Sequence, residues 1–103
     1  MTRGKRQTGT KQRNTSQVDA LVGRIVVLDT AGPIVYIGTL RSVRPDGFWL
    51  DDADVHNCED GHATKEQYVL ESRLDGVRVN RSRVFVLRSA VMSLSALDDV
   101  TTD

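Results

Sequence analysis

Three apolar runs, Arg24 to Asp29, Ile34 to Val43 and Phe48 to Val55, follow one another with only short polar breaks, and the middle run carries Gly38 at its centre. This pattern constrains the fold more than any other feature of the chain. The first run is β-branched at Ile25, Val26 and Val27, and each run is too short for a buried helix, so all three read as strands. Thr30-Ala31-Gly32-Pro33 and Pro45-Asp46-Gly47 are turn chemistry, because Pro presets its own φ while Gly and Asp tolerate the tight dihedrals of a reversal. A glycine inside a strand marks a sharp bend or a close approach of another backbone. Short strands, tight turns and one enforced bend predict a small, strongly bent β-barrel. In the third run Phe48 and Leu50 fall on one face and Trp49 on the other.

Helices are expected before and after these strands. Ser16 is placed to cap the amide of Asp19, and Val18, Leu21 and Val22 then share a face until Gly23 ends the helix. Further on, Thr64 and Gln67 have the spacing of a capping box. Gln67, Leu70 and Leu74 recur on one helical face, and Gly76 stands where a left-handed C-cap belongs, so a helix is predicted over about 63–75. A last pair of strands, Val79 to Leu87 and Ala90 to Leu94, flanks Arg88-Ser89, and the alternation of Val84 and Val86 with Phe85 and Leu87 predicts burial on both sides.

With 103 residues and 39% hydrophobic content the chain suits one domain with a small core, a class that often gains stability by association. Its single cysteine, Cys58, can form no internal disulfide, and no apolar run has the length of a signal sequence or a membrane span, so the expectation is a cytoplasmic protein with no membrane partner. The net charge of zero conceals an asymmetry. Residues 1 to 17 hold Arg3, Lys5, Arg6, Lys11 and Arg13 and no acid, giving an arm of +5 and a body of −5. Lacking apolar side chains to offset ordering entropy, residues 1–15 are expected to be a disordered basic tail. Such an arm can neutralise nucleic-acid phosphates, and it can equally be a solubilising terminus or fold back on its own acidic body. The barrel is expected to span 16–97, and 98–103 reads as a frayed acidic end.

A helix followed by five strands, with a central glycine in a bent second strand and a last pair joined by a very short turn, resembles the Sm and Sm-like (LSm) family. The residues that carry the resemblance are Leu21-x-Gly23-x-x-Val26, Gly38-x-Leu40, Leu50-Asp51-Asp52-Ala53 and Val84-Phe85-Val86-Leu87-Arg88-Ser89. They cover 16–97 apart from the helical insertion, and the resemblance implies a mainly β fold, a five-stranded SH3-like (Sm-like) barrel. The resemblance implies a cyclic homo-oligomer of about five to seven subunits, in which the fourth strand of one copy pairs with the fifth of the next and no edge is left open. Val84, Phe85, Val86, Leu87, Val91, Met92 and Leu94 are then the interface candidates, burial in the core of a lone chain being the alternative for each.

The resemblance also implies single-stranded RNA as a partner. Sm-type rings hold a base with an Asp and an Asn between strands two and three and an Arg-Gly between strands four and five. Here the first loop reads Arg44-Pro45-Asp46-Gly47-Phe48, with an acid at a shifted position and no following Asn, and the second offers Arg88-Ser89. Arg44, Asp46, Phe48, Arg88 and Ser89 can form a base site only if the two loops converge, since a base needs a plane to stack on and a polar group at its edge. The alternative is a turn built for geometry with Phe48 in the core. The arm residues Arg3, Lys5, Arg6, Lys11 and Arg13 complete the RNA candidates.

Two other clusters carry charged or metal-ligating side chains. Arg78, Arg81 and Arg83 form a basic group that either presents a field on one ring face or pairs with Asp51, Asp52 and Asp54 across the sheet. His56, Cys58 and His62, with Asp54, Glu59 and Asp60, offer metal-ligating types, but their spacing matches no defined zinc pattern and a solvated loop explains them equally. Nothing supplies an orienting group or oxyanion site for a Cys58 nucleophile. No catalytic residue, metal or cofactor is expected. The reading is a non-enzymatic ring that binds RNA weakly, or a ring or barrel that serves as a protein-interaction scaffold.

Overall fold

A computed structural model of the protein describes residues 17–61 and 63–102. The basic arm with Arg3, Lys5, Arg6, Lys11 and Arg13, the capping Ser16, and His62 lie outside the described residues. The strands are β1 (Ile25–Asp29), β2 (Ile34–Arg44), β3 (Gly47–Asn57), β4 (Arg81–Leu87) and β5 (Ser93–Ala96), and the inserted helix α1 (Lys65–Asp75) stands between β3 and β4. All pairings are antiparallel in the order β4-β3-β2-β1-β5.

Bending is concentrated where the chain provides for it. A Cβ added at Gly38 would lie 3.0 Å from Cα of Ala53, so a side chain here would push β2 and β3 apart by a few tenths of an ångström. The β2–β3 register slips between Ile37 and Thr39 and again between Leu40 and Ser42, and Asp52 takes φ +49. Such bulges kink and twist a strand. At the entrance, residues 17–19 form a helical turn, and Gly23, at φ +92, donates to the Leu40 carbonyl at 2.8 Å.

The alternation of β1 divides the molecule into two cores. Val26 and Leu28 point into the bend with Leu40, Phe48, Leu50, Ala53 and Val86, and Val18 and Leu21 pack against them from the N-terminal turn. Val27 points to the outer face with Val35 and Ile37, where Tyr68 and Val69 of α1 and Leu97 cover it.

The capping box of α1 is present: Thr64 Oγ1 accepts from the Gln67 amide at 3.1 Å and Gln67 Oε1 accepts from the Thr64 amide at 3.0 Å. Gly76 closes the helix at φ +102. Its buried face is not the one on which Gln67, Leu70 and Leu74 recur. Tyr68, Val69 and Ser72 are buried and Leu74 is 62% exposed, because the outer sheet offers partners for Tyr68 and none for Leu74.

Two further expectations are corrected. β5 begins at Ser93 rather than Ala90, since Arg88–Ala90 is a 3-10 turn that joins the strands. Leu87 is 57% exposed, so β4 is not buried on both sides. After β5, Leu97 is buried, Val100 packs on the outer core, and the Asp98 carbonyl accepts from Arg73 Nε at 3.3 Å.

Candidate functional site

The turn between β2 and β3 and the connection between β4 and β5 meet at Arg88. Arg44 opposes Gly47 across a reversal at Pro45-Asp46, and Gly47 in turn opposes Leu87 of β4. A Cβ at Gly47 would collide with the Val86 carbonyl and stand 2.6 Å from the Phe85 ring, so the absence of a side chain brings β4 against the turn. The Arg88 amide donates to the Asp46 carbonyl at 2.9 Å, its Nε to the Pro45 carbonyl at 3.0 Å and its Nη2 to the Arg44 carbonyl at 2.9 Å. Its guanidinium carbon lies 4.8 Å from the centroid of Phe48.

Arg88 therefore staples the two loops together, and Arg44, Asp46, Arg88 and Ser89 share the exposed rim of one end of the sheet. Phe48 is 4% exposed. Its ring is a core residue and the floor under the guanidinium, a stacking arrangement that favours a cation over an aromatic face. A guanidinium has five N–H groups and two are spent on carbonyls, which leaves donors for a further acceptor.

The interface candidates divide by position. Val86 is 2% exposed and belongs to the inner core, so what it can give an edge is backbone. Val84, Val91 and Leu94 pack partly against the same core. Phe85 faces outward against Trp49, with ring centroids 4.9 Å apart, and Leu87 and Met92 are the most exposed of the set. Among the described residues β4 pairs only with β3 and β5 only with β1.

On the outer face the basic group is partly paired. Asp51 accepts from Arg41 Nη1 at 3.1 Å and from Arg83 Nε at 3.2 Å. Partial desolvation pushes the Asp51 carboxyl upward, but the two arginines outweigh it and hold the group below its ordinary value. Two of the metal-ligating types, Asp54 and His56, are engaged in other contacts. The buried Asp54 carboxyl accepts from the Tyr68 hydroxyl and from Asn80 Nδ2, the latter at 3.1 Å. His56 stacks on Tyr68 with centroids 3.6 Å apart, and the Arg78 guanidinium carbon lies 5.3 Å from the same ring. Burial, reinforced by the Asp54 acceptor, pushes the Tyr68 hydroxyl up to about 12. Burial also pushes the Cys58 thiol upward, away from a reactive thiolate. No group of three metal-ligating side chains gathers among the described residues.

This Tyr68–Asp54–Asn80 network escaped sequence reasoning. The only available signal was a tyrosine inside an otherwise unremarkable helix following a strand with alternating acids. It locks α1 onto β3, and Lys65 locks the helix start to the β1–β2 turn through Asp29 Oδ1 at 2.7 Å and the carbonyls of Thr30 and Gly32 at 3.1 and 2.6 Å.

No protein-family model matches the sequence, and no curated protein is significantly similar to it. Solved structures are similar. An Sm protein of Pyrococcus abyssii in complex with a uridine heptamer superposes with a TM-score of 0.55 at 13% identity, over 80% of this chain and 94% of that one. The SmAP1 heptamer of P. aerophilum gives 0.54 at 18% identity, over 80% of this chain and 89% of that one. The chain therefore has an Sm-like fold: a bent five-stranded antiparallel sheet preceded by a helical turn, with α1 inserted before the fourth strand.

Proposed function

We propose that this chain is a non-enzymatic subunit of a cyclic homo-oligomer of about five to seven copies that binds single-stranded RNA weakly, through the rim around Arg88 and the basic arm. The observation that carries the reading is the convergence of the two loops on Arg88 in a sheet whose end strands, β4 and β5, each leave one edge unpaired among the described residues. The two structural neighbours support its halves, one being a heptamer and the other holding a uridine heptamer. Repetition around a ring multiplies weak phosphate and base contacts, which is how an arginine, Arg44 and Ser89 per copy suffice. Arg88 lies over Phe48 as a supported plane and Asp46 stands beside it as an acceptor for a base edge. No membrane-spanning helix occurs among the described residues, and an unpaired cysteine suits a cytoplasmic setting.

One observation favours the second reading, a protein-interaction scaffold. Arg88 already holds two carbonyls, and Phe48 offers no free face. Fluorescence anisotropy with single-stranded oligouridine decides between the two. The RNA reading predicts binding that weakens with salt by a slope of about −0.7 per neutralised phosphate and falls roughly tenfold with Arg44→Ala or removal of residues 1–17. Arg88→Lys keeps a charge but loses the planar fork, and it weakens binding with the fold intact by circular dichroism. Binding unchanged in all three variants, or absent from the parent protein, leaves the scaffold.

A further inference from the structure

The helix inserted before β4 builds a groove that the bent sheet alone would not have. It measures about 420 Å³ and lies between α1, the outer face of β1 and β5, and the C-terminal segment at Val100 and Thr101. Val27, Val35, Val69, Leu70 and Val100 give it an apolar lining, and Ser93 and Ser95 of β5 form its open side. Lys65 fixes its wall by holding α1 to the β1–β2 turn.

At the opposite end of the same sheet stands an apolar protrusion. Leu87 is 57% exposed on β4, and Phe85, beside it, packs on Trp49. Both surfaces are on one face. Cross-strand partners share a face, and Arg83 opposes Asp51, Asp51 opposes Thr39, Thr39 opposes Ile25, and Val27 opposes Ser95. Arg83, Phe85 and Leu87 therefore point the same way as Ser93 and Ser95. Charge follows the same division. From 76 to 88 the chain carries Arg78, Arg81, Arg83 and Arg88, of which Arg78 pairs with Glu71 and Arg83 with Asp51, whereas from 89 to 102 it carries Asp98 and Asp99 and no base, and the groove wall adds Asp29, Lys65 and Glu66, so the β4 side stays positive and the β5 side negative.

We propose that the groove beside β5 receives Leu87 and Phe85 from β4 of a second copy, so that the inserted helix is one half of a head-to-tail joint. The proposal rests on the ring reading and adds to it a side-chain contact that depends on α1. When a sheet continues from β5 into the β4 of another copy, paired residues stand about 4.5–5.5 Å apart on a shared face, which brings Phe85 and Leu87 over Ser93 and Ser95 at the mouth of the groove. Opposite charge on the two edges favours this joint, and like charge opposes β4 meeting β4 or β5 meeting β5. A joint between unlike surfaces closes into a ring instead of stopping at a dimer.

The test is disulfide trapping in the full chain carrying Cys58→Ser. Leu70→Cys with Leu87→Cys is predicted to give, on oxidation, a ladder of covalent multimers on a non-reducing gel. Leu74→Cys with Leu87→Cys, the first of these lying outside the groove, is predicted to give none. Leu70→Glu is predicted to raise the concentration for half-assembly about tenfold at an unchanged melting temperature of the free subunit. A parent protein that stays monomeric overturns the ring reading and this joint with it. An assembled parent with no ladder and normal assembly of Leu70→Glu overturns the joint alone, as does trapping that ends at a dimer.

Discussion

Tyr68 shows how a single side chain fixes the place of a whole insertion. Its hydroxyl satisfies a carboxyl, Asp54, that is 2% exposed, and a buried acceptor deprived of a partner costs far more than the hydrogen bond returns. Tyr68→Phe is therefore expected to lower stability by about 2–3 kcal/mol, read as a lower urea midpoint. The phenol adds a pH signature. Its value in the fold, about 12, lies above the ordinary 10.0, so the fold favours the protonated form. That contribution is fully present below pH 10 and is lost as the pH rises toward 12, and Tyr68→Phe is expected to remove this portion of the alkaline fall in stability. Arg88 was legible as a site candidate from its place between two strands. Its contacts were not, because the carbonyls it holds belong to residues more than forty positions away and become neighbours only through the β3–β4 pairing.

At the level of elements, local chemistry and tertiary demand agree in some places and diverge in others. β1, β2 and β3 were legible because alternation and turn residues are local signals, and Gly38 announced the bend that its contact with Ala53 explains. The ends of α1 were legible for the same reason: a Thr64–Gln67 box and a positive-φ glycine act within one turn. Thr64→Ala is expected to cost about 1 kcal/mol in thermal unfolding, since it leaves the Gln67 amide without its acceptor. The buried face of α1 was not legible, because Leu74 is apolar and Ser72 is not, while the helix residues that are buried are those that meet Asp54 and Val35 of the sheet below. β5 was placed early because Ala90, Val91 and Met92 look like strand. Those residues are used in the link from Arg88, where the Met92 amide reaches the Asp29 carbonyl at 2.7 Å before pairing begins.

For the whole molecule, the inner core, the outer core under α1 and the loop junction at Arg88 all leave the same two strands at the ends of the sheet. Exposed backbone edges invite pairing, and the proposed ring is the closed arrangement that uses both. The proposed RNA rim and the proposed groove contact both depend on that closure, one through repetition and the other through contact. Sedimentation analysis of the full chain across a concentration series measures it most directly. The account predicts a single species of about five to seven copies that persists on dilution into the micromolar range. A species with the mass of one chain at every concentration would contradict it.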